Sequence, residues 1–103
     1  MTELRFLVSV DEREGRDTVA GALREFGVSA TGVLDDVRYE VVANPEQNVE
    51  VTGRDGYFPW NVLLVPLRVL PRGEQFTRAR LLCEFFEELG VPAFVAVDRR
   101  GHA

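Results

Sequence analysis

Val62-Leu63-Leu64-Val65-Pro66-Leu67 is the most apolar stretch of this 103-residue chain, and its reading decides the fold. Its apolarity is continuous rather than alternating, which marks a strand covered on both faces. Pro66 has no N–H to give to a ladder, so an edge or a bulge is expected there. Downstream, Pro71-Arg72-Gly73 breaks the strand, and Thr77 has the side chain of a helix N-cap. Leu81, Leu82, Phe85, Phe86 and Leu89 then form one apolar helical stripe, with Cys83 at its margin. Gly90 and Pro92 stop that helix, and Val91, Ala93, Val95 and Val97 alternate as a last strand.

Upstream, Tyr57-Phe58-Pro59-Trp60 is irregular and follows the break Gly53-Arg54-Asp55-Gly56. Val49 and Val51 alternate with Glu50 and Thr52, which predicts a short strand or the continuation of a kinked one; Asn44 to Asn48 is a turn by composition. Val37, Tyr39, Val41 and Ala43 share one face of a further strand, opposite Arg38, Glu40 and Val42. Before it, Val19, Ala22, Leu23 and Phe26 repeat at helical spacing up to a stop at Gly27, with Asp11 or Asp17 as N-cap. Leu4, Phe6, Val8 and Val10 alternate with Arg5, Leu7 and Ser9 as the first strand. The order predicts an α+β chain, a ferredoxin-like βαββαβ two-layer sandwich with an extra short strand near 48–52. Residues 1–98 form its single domain and 99–103 a frayed tail.

Composition narrows the function classes. Seventeen acidic residues oppose twelve basic ones for a net charge of −5, and every base is arginine, the usage a GC-rich genome produces. A phosphate backbone repels such a surface, so nucleic-acid binding is not expected. The absence of lysine removes Schiff-base and P-loop chemistry. A single cysteine, Cys83, permits no intrachain disulfide and no metal cluster, and reads as a reduced, buried thiol of a cytoplasmic protein. No apolar run approaches the length of a membrane span, so no membrane contact is expected. His102, the only histidine, lies in the tail, where nothing would hold a general base in place.

Two local clusters read as structure. Asp35-Asp36 with Glu40 could hold a metal or an acid/base pair only if other groups converged on it, and a solvated turn is the simpler account. Gly53-Arg54-Asp55-Gly56 lacks the spacing and following helix of a phosphate loop, and is expected to be a hairpin turn. No catalytic residue, cofactor or metal site is expected.

Helices on one side leave the other side of the sheet open. Leu7, Phe94 and Ala96 join the 62–67 strand there, and an apolar face of this kind marks an interface. The alternative cover is the chain itself: the extra strand, the tail or the 53–60 loop folded back. Arg54, Tyr57, Phe58 and Trp60 make the best recognition patch, being aromatic and arginine-rich, and Leu7 and Phe94 complete the expected partner-binding set. The leading expectation is therefore a non-enzymatic module acting by contact, as a homodimer or on another protein, in the manner of an inhibitor, immunity protein or adaptor. In element order the chain also resembles the ACT class of regulatory domains, which implies a small ligand held near the loop Asp11 to Asp17. A third reading is an enzyme of the dimeric α+β barrel kind, for which Ser9, Arg38, Tyr39 and Asn61 are the candidate pocket groups.

Overall fold

The structure, a computed structural model, describes residues 5–51 and 54–98, except for the side chains of residues 49–51, 54 and 55. The chain order is β1 (Arg5–Val10), α1 (Arg16–Phe26), β2 (Val33–Leu34), β3 (Val37–Ala43), β4 (Asn48–Val51), β5 (Arg54–Tyr57), β6 (Trp60–Pro66), α2 (Arg72–Glu88) and β7 (Ala93–Asp98). Strands β2-β3-β6-β1-β7 form one antiparallel sheet in that spatial order, and β4 and β5 pair as a separate hairpin. The four longer strands, β3-β6-β1-β7, have the ferredoxin-like arrangement, and both helices cover one face.

Strand alternation builds the core. Phe6, Val8 and Val10 of β1, Val37, Tyr39 and Val41 of β3, and Val62 and Leu64 of β6 all point to the helix side. They meet Val19 and Leu23 of α1 and Ala79, Leu82, Cys83 and Phe86 of α2. Ala93, Val95 and Val97 of β7 pack against this cluster while staying partly exposed.

Several local features differ from the reading of the sequence. Neither Asp11 nor Asp17 caps α1. Gly15 holds the N-cap position at φ 130°, the Asp11 carboxylate accepts a 2.9 Å hydrogen bond from Arg13 Nε, and Asp17 lies inside the first turn. In α2 the helix starts five residues before Thr77, at Arg72 after Pro71, whose ring fixes a φ suited to the entry. Thr77 is interior, and its hydroxyl donates to the Gly73 carbonyl at 2.9 Å. The early start is held by tertiary contacts, with Phe76 5.5 Å from Phe6 and the Arg72 guanidinium 4.8 Å over the same ring. The buried stripe of α2 is Ala79, Leu82, Cys83 and Phe86, whereas Leu81 and Leu89 are about half exposed (52% and 48%). Cys83 is thus within the stripe.

Pro66 creates neither an edge nor a bulge. It is the last residue of the central strand β6, opposite Val37, and the ladder continues past it with Leu67 N–H donating to Asp36 C=O at 2.7 Å. Asp35-Asp36 is a turn, as its composition suggests. It is the two-residue loop of the β2–β3 hairpin, with φ of 47° and 64°. The extra strand near 48–52 is β4. Arg54, Asp55 and Gly56 belong to β5 rather than to the turn, and residues 52–53 and the tail 99–103, with His102, lie outside the described residues.

Candidate functional site

The face away from the helices carries Arg5, Leu7 and Ser9 of β1, Asn61, Leu63 and Val65 of β6, and Phe94, Ala96 and Asp98 of β7, because these alternate with the core set. It is less open than expected. Leu7, Leu63 and Phe58 are each 6% exposed yet lie outside the helix-side core, so the chain covers part of its own sheet. The cover comes from the hairpin region. Phe58, which follows β5, sets its ring edge-on to Phe94 with centroids 4.9 Å apart. Asn44 anchors both ends of the excursion: its backbone N–H donates to Pro59 C=O at 2.9 Å and its side-chain Nδ2 to Phe58 C=O at 2.7 Å. Phe58 N–H in turn donates to Gln47 C=O at 2.7 Å. Gly56 makes this seat possible, since a Cβ there would stand 2.3 Å from the Phe58 ring.

Beside Phe58 a pocket of about 390 Å³ remains, lined by Leu7, Ser9, Asn44, Pro45, Glu46, Asn61, Phe94, Ala96, Val97 and Asp98. Its floor holds the polar pair that the apolar strands conceal. Ser9 and Asn61 stand directly opposite each other in the β1–β6 ladder, and Ser9 Oγ donates to Asn61 Oδ1 at 2.6 Å. Both are at least 96% buried (3% and 4% exposed). Asn61 Nδ2 has no hydrogen-bond partner among the described residues, and it is not sealed from solvent, so it faces the pocket. By contrast Asn44 is fully engaged, with its Oδ1 accepting from Glu46 N–H at 3.1 Å as its Nδ2 donates to Phe58. None of the described lining side chains is cationic, and the exposed Glu46 adds a carboxylate, which favours a neutral or cationic guest over an anion.

The predicted patch is thus divided. Leu7, Phe58 and Phe94 come together around the pocket. Tyr57 lies at the hairpin end under the Arg13 guanidinium, 5.1 Å from its ring centre. Trp60 is turned to the opposite side, where it packs against the helix-side core beside Val10. Arg54 is in β5, with a side chain outside the described residues. Of the four groups expected in an enzyme-type pocket, Ser9 and Asn61 share this one. Tyr39 faces the helices, and Arg38, 3.8 Å from Glu40, lies on an exposed part of β3. Asn44, Pro45, Glu46 and Asp98 are lining residues that the sequence reading did not place on this face. The available signal was a serine and an asparagine interrupting strands that are otherwise apolar.

A second groove of about 380 Å³ lies between α2 and the β2–β3 hairpin, lined by Phe26, Leu34, Asp35, Tyr39, Glu74, Thr77, Arg78 and Leu81. Burial pushes the Tyr39 phenol above its ordinary pKa, partly offset by Arg78, so it stays protonated at neutral pH. Arg78 is committed to holding the turn, donating to Asp35 C=O at 2.6 Å. Cys83 is buried, and burial followed by the nearby Glu87 carboxylate pushes its thiol up to about 11, the reverse of an activated nucleophile. Among the described residues no group of three or more His, Cys, Asp or Glu side chains is placed to hold a metal ion. No helix among them is long and apolar enough to cross a membrane. Compared with protein-family models, with curated proteins and with solved structures, the chain finds no match.

Proposed function

We propose that the chain is a small-ligand-binding module whose site is the pocket between the open sheet face and the start of the hairpin. The observation that supports this reading most directly is the buried Ser9–Asn61 pair at the pocket floor, with an amide nitrogen aimed into the cavity and unpaired within the described chain. That nitrogen is open to the cavity, so a guest that accepts a hydrogen bond takes the place of water there. The volume suits a small molecule, and the mixture of apolar walls with a few placed polar groups is the usual make-up of such sites. The guest is an amphipathic molecule with a hydrogen-bond acceptor for Asn61, an apolar flank for Leu7 and Phe94, and no negative charge. Docking of another protein on the whole sheet face draws less support, because Leu7 and Leu63 are already buried within one chain and Phe58 occupies the ground before Phe94.

The test is a titration followed by backbone amide NMR, with benzamide, phenethylammonium and benzoate as probes. The first two are expected to shift the signals of Ser9, Asn61, Phe94 and Ala96, and benzoate to leave them in place. Shifts scattered over the surface, or none at millimolar probe, would overturn the reading.

A further inference from the structure

The two edges of the sheet are finished differently. At the β3 edge, β2 pairs with the first residues, Tyr39 N–H donates to Gly32 C=O, and the Arg16 guanidinium donates to Val41 C=O. That edge is closed to a further strand. At the other edge β7 pairs with β1 alone, and nothing among the described residues hydrogen-bonds to its outer side. Its sequence, Ala93-Phe94-Val95-Ala96-Val97-Asp98, has no charge before its last residue, no interior proline and no bulge. An unprotected apolar edge of this length invites another strand.

We propose that β7 pairs antiparallel with β7 of a second copy, in the register that sets Val95 opposite itself, and that the second copy walls the open side of the pocket. Side chains facing each other across an antiparallel pair lie on the same face, so the molecular two-fold must pass through a residue rather than between two. Through Val95, Phe94 of one copy faces Ala96 of the other and Ala93 faces Val97, each a large residue against a small one. Asp98 then faces Pro92, a pair beyond the last outward ladder bonds, since the Pro92 C=O is turned inward and accepts from Asp11 N–H at 2.9 Å. Moving the axis to Ala96 would instead place the Asp98 carboxylate against Phe94. The Val95 register joins two five-stranded sheets into one of ten.

The helix layer fits the same axis. Helix α2 packs equally on β1 and β7, which seats it over the space between them. With strands about 4.8 Å apart, two such helices come to about 10 Å, an ordinary packing distance. Leu81, Arg78, Thr77 and Glu74 face the β2–β3 side, so helical geometry turns Arg80 and Glu87 toward the β7 side. A partner of unrelated sequence would not match this register except by coincidence. Phe94 and Ala96 both line the pocket, so the pairing extends each cavity onto the neighbouring copy. The walling rests on the pocket being a binding site; the pairing does not.

Light scattering behind size exclusion at micromolar protein is expected to give twice 11.6 kDa. In a Cys83→Ser background, Val95→Cys is expected to oxidise to a linked dimer. Ala96→Cys is not, because its copies lie two residues out of register, beyond disulfide reach. A monomer at 100 micromolar, or linkage by Ala96→Cys in place of Val95→Cys, would overturn the pairing. The NMR probes separate the two ideas. A dimer with a silent pocket keeps the pairing and removes the walling, and a monomer whose Ser9 and Asn61 signals still move does the opposite for the binding site.

Discussion

Ser9 and Asn61, 52 positions apart in the chain, meet as direct cross-strand partners and share a 2.6 Å hydrogen bond beneath the pocket. Removing one partner strands the other in a site from which water is nearly excluded, whereas removing both leaves apolar neighbours in contact. Ser9→Ala is therefore expected to destabilise the fold by about 1–3 kcal/mol, and Ser9→Ala with Asn61→Leu to recover most of that loss. Urea denaturation of the three variants checks the pattern. A double variant no better than the single one would mean that Asn61 has work beyond this bond.

The cover over the sheet depends on a glycine. At Gly56 any side chain would collide with the Phe58 ring, and Phe94 stands behind that ring and prevents retreat. Gly56→Ala is expected to cost about 1–3 kcal/mol by overpacking, and Phe58→Ala about 3 kcal/mol by leaving a void. Both should speed hydrogen exchange at the Phe58 amide, which is bonded to Gln47 C=O, while leaving amides of β3 protected. Equal loss of protection across the whole sheet would show that the hairpin and the main core unfold as one unit.

The β2–β3 turn carries strain that its sequence does not need. Both Asp35 and Asp36 have left-handed backbone angles, which two-residue hairpins ordinarily give to Asn-Gly. Asp35→Asn with Asp36→Gly is expected to stabilise the protein by about 0.5–1 kcal/mol. The Arg78 bond survives because it is made to the backbone of residue 35. The 2.9 Å pair between Arg68 and Asp36 is lost, but both side chains are more than half exposed, and such pairs contribute little. Thermal melts of this variant and of Arg68→Ala, expected within about 0.5 kcal/mol of the parent, separate the two contributions.

What the sequence made legible was the part governed by local periodicity. Val37, Tyr39 and Val41 announce their shared face, Gly27 and Gly90 end their helices, and the order of elements leaves few topologies. The errors fall where tertiary contact overrides local preference. Thr77 has cap chemistry, yet α2 begins at Arg72 because Phe76 and Arg72 find Phe6. Leu81 outranks Ala79 in hydrophobicity, yet Ala79 is wholly buried and Leu81 half exposed, because the helix turns the face of Ala79, Leu82, Cys83 and Phe86 to the sheet. The site was half visible. Ser9 and Asn61 could be seen as polar interruptions of apolar strands, but their pairing needs the register of β1 on β6. The return of Phe58 over Phe94 likewise needs the path of the hairpin, which no periodicity encodes.

Cys83 gives the pH dependence a definite sign. Burial, with Glu87 nearby, holds the folded-state thiol up to about 11, against 9.0 for an unperturbed thiol. Between those values the folded chain keeps its proton while the unfolded chain loses it, so each rise in pH favours unfolding. The contribution is fully present below about pH 9 and is lost as pH climbs toward 11. Cys83→Ala removes the titration, so the difference in stability between parent and variant is expected to narrow or change sign across that window if Cys83 packs better than alanine at neutral pH. Denaturant midpoints at pH 7, 9 and 10.5 measure it. At pH 8 the same burial predicts that a thiol reagent labels Cys83 only in denaturant; rapid labelling of the folded protein would mean that α2 opens readily over the sheet.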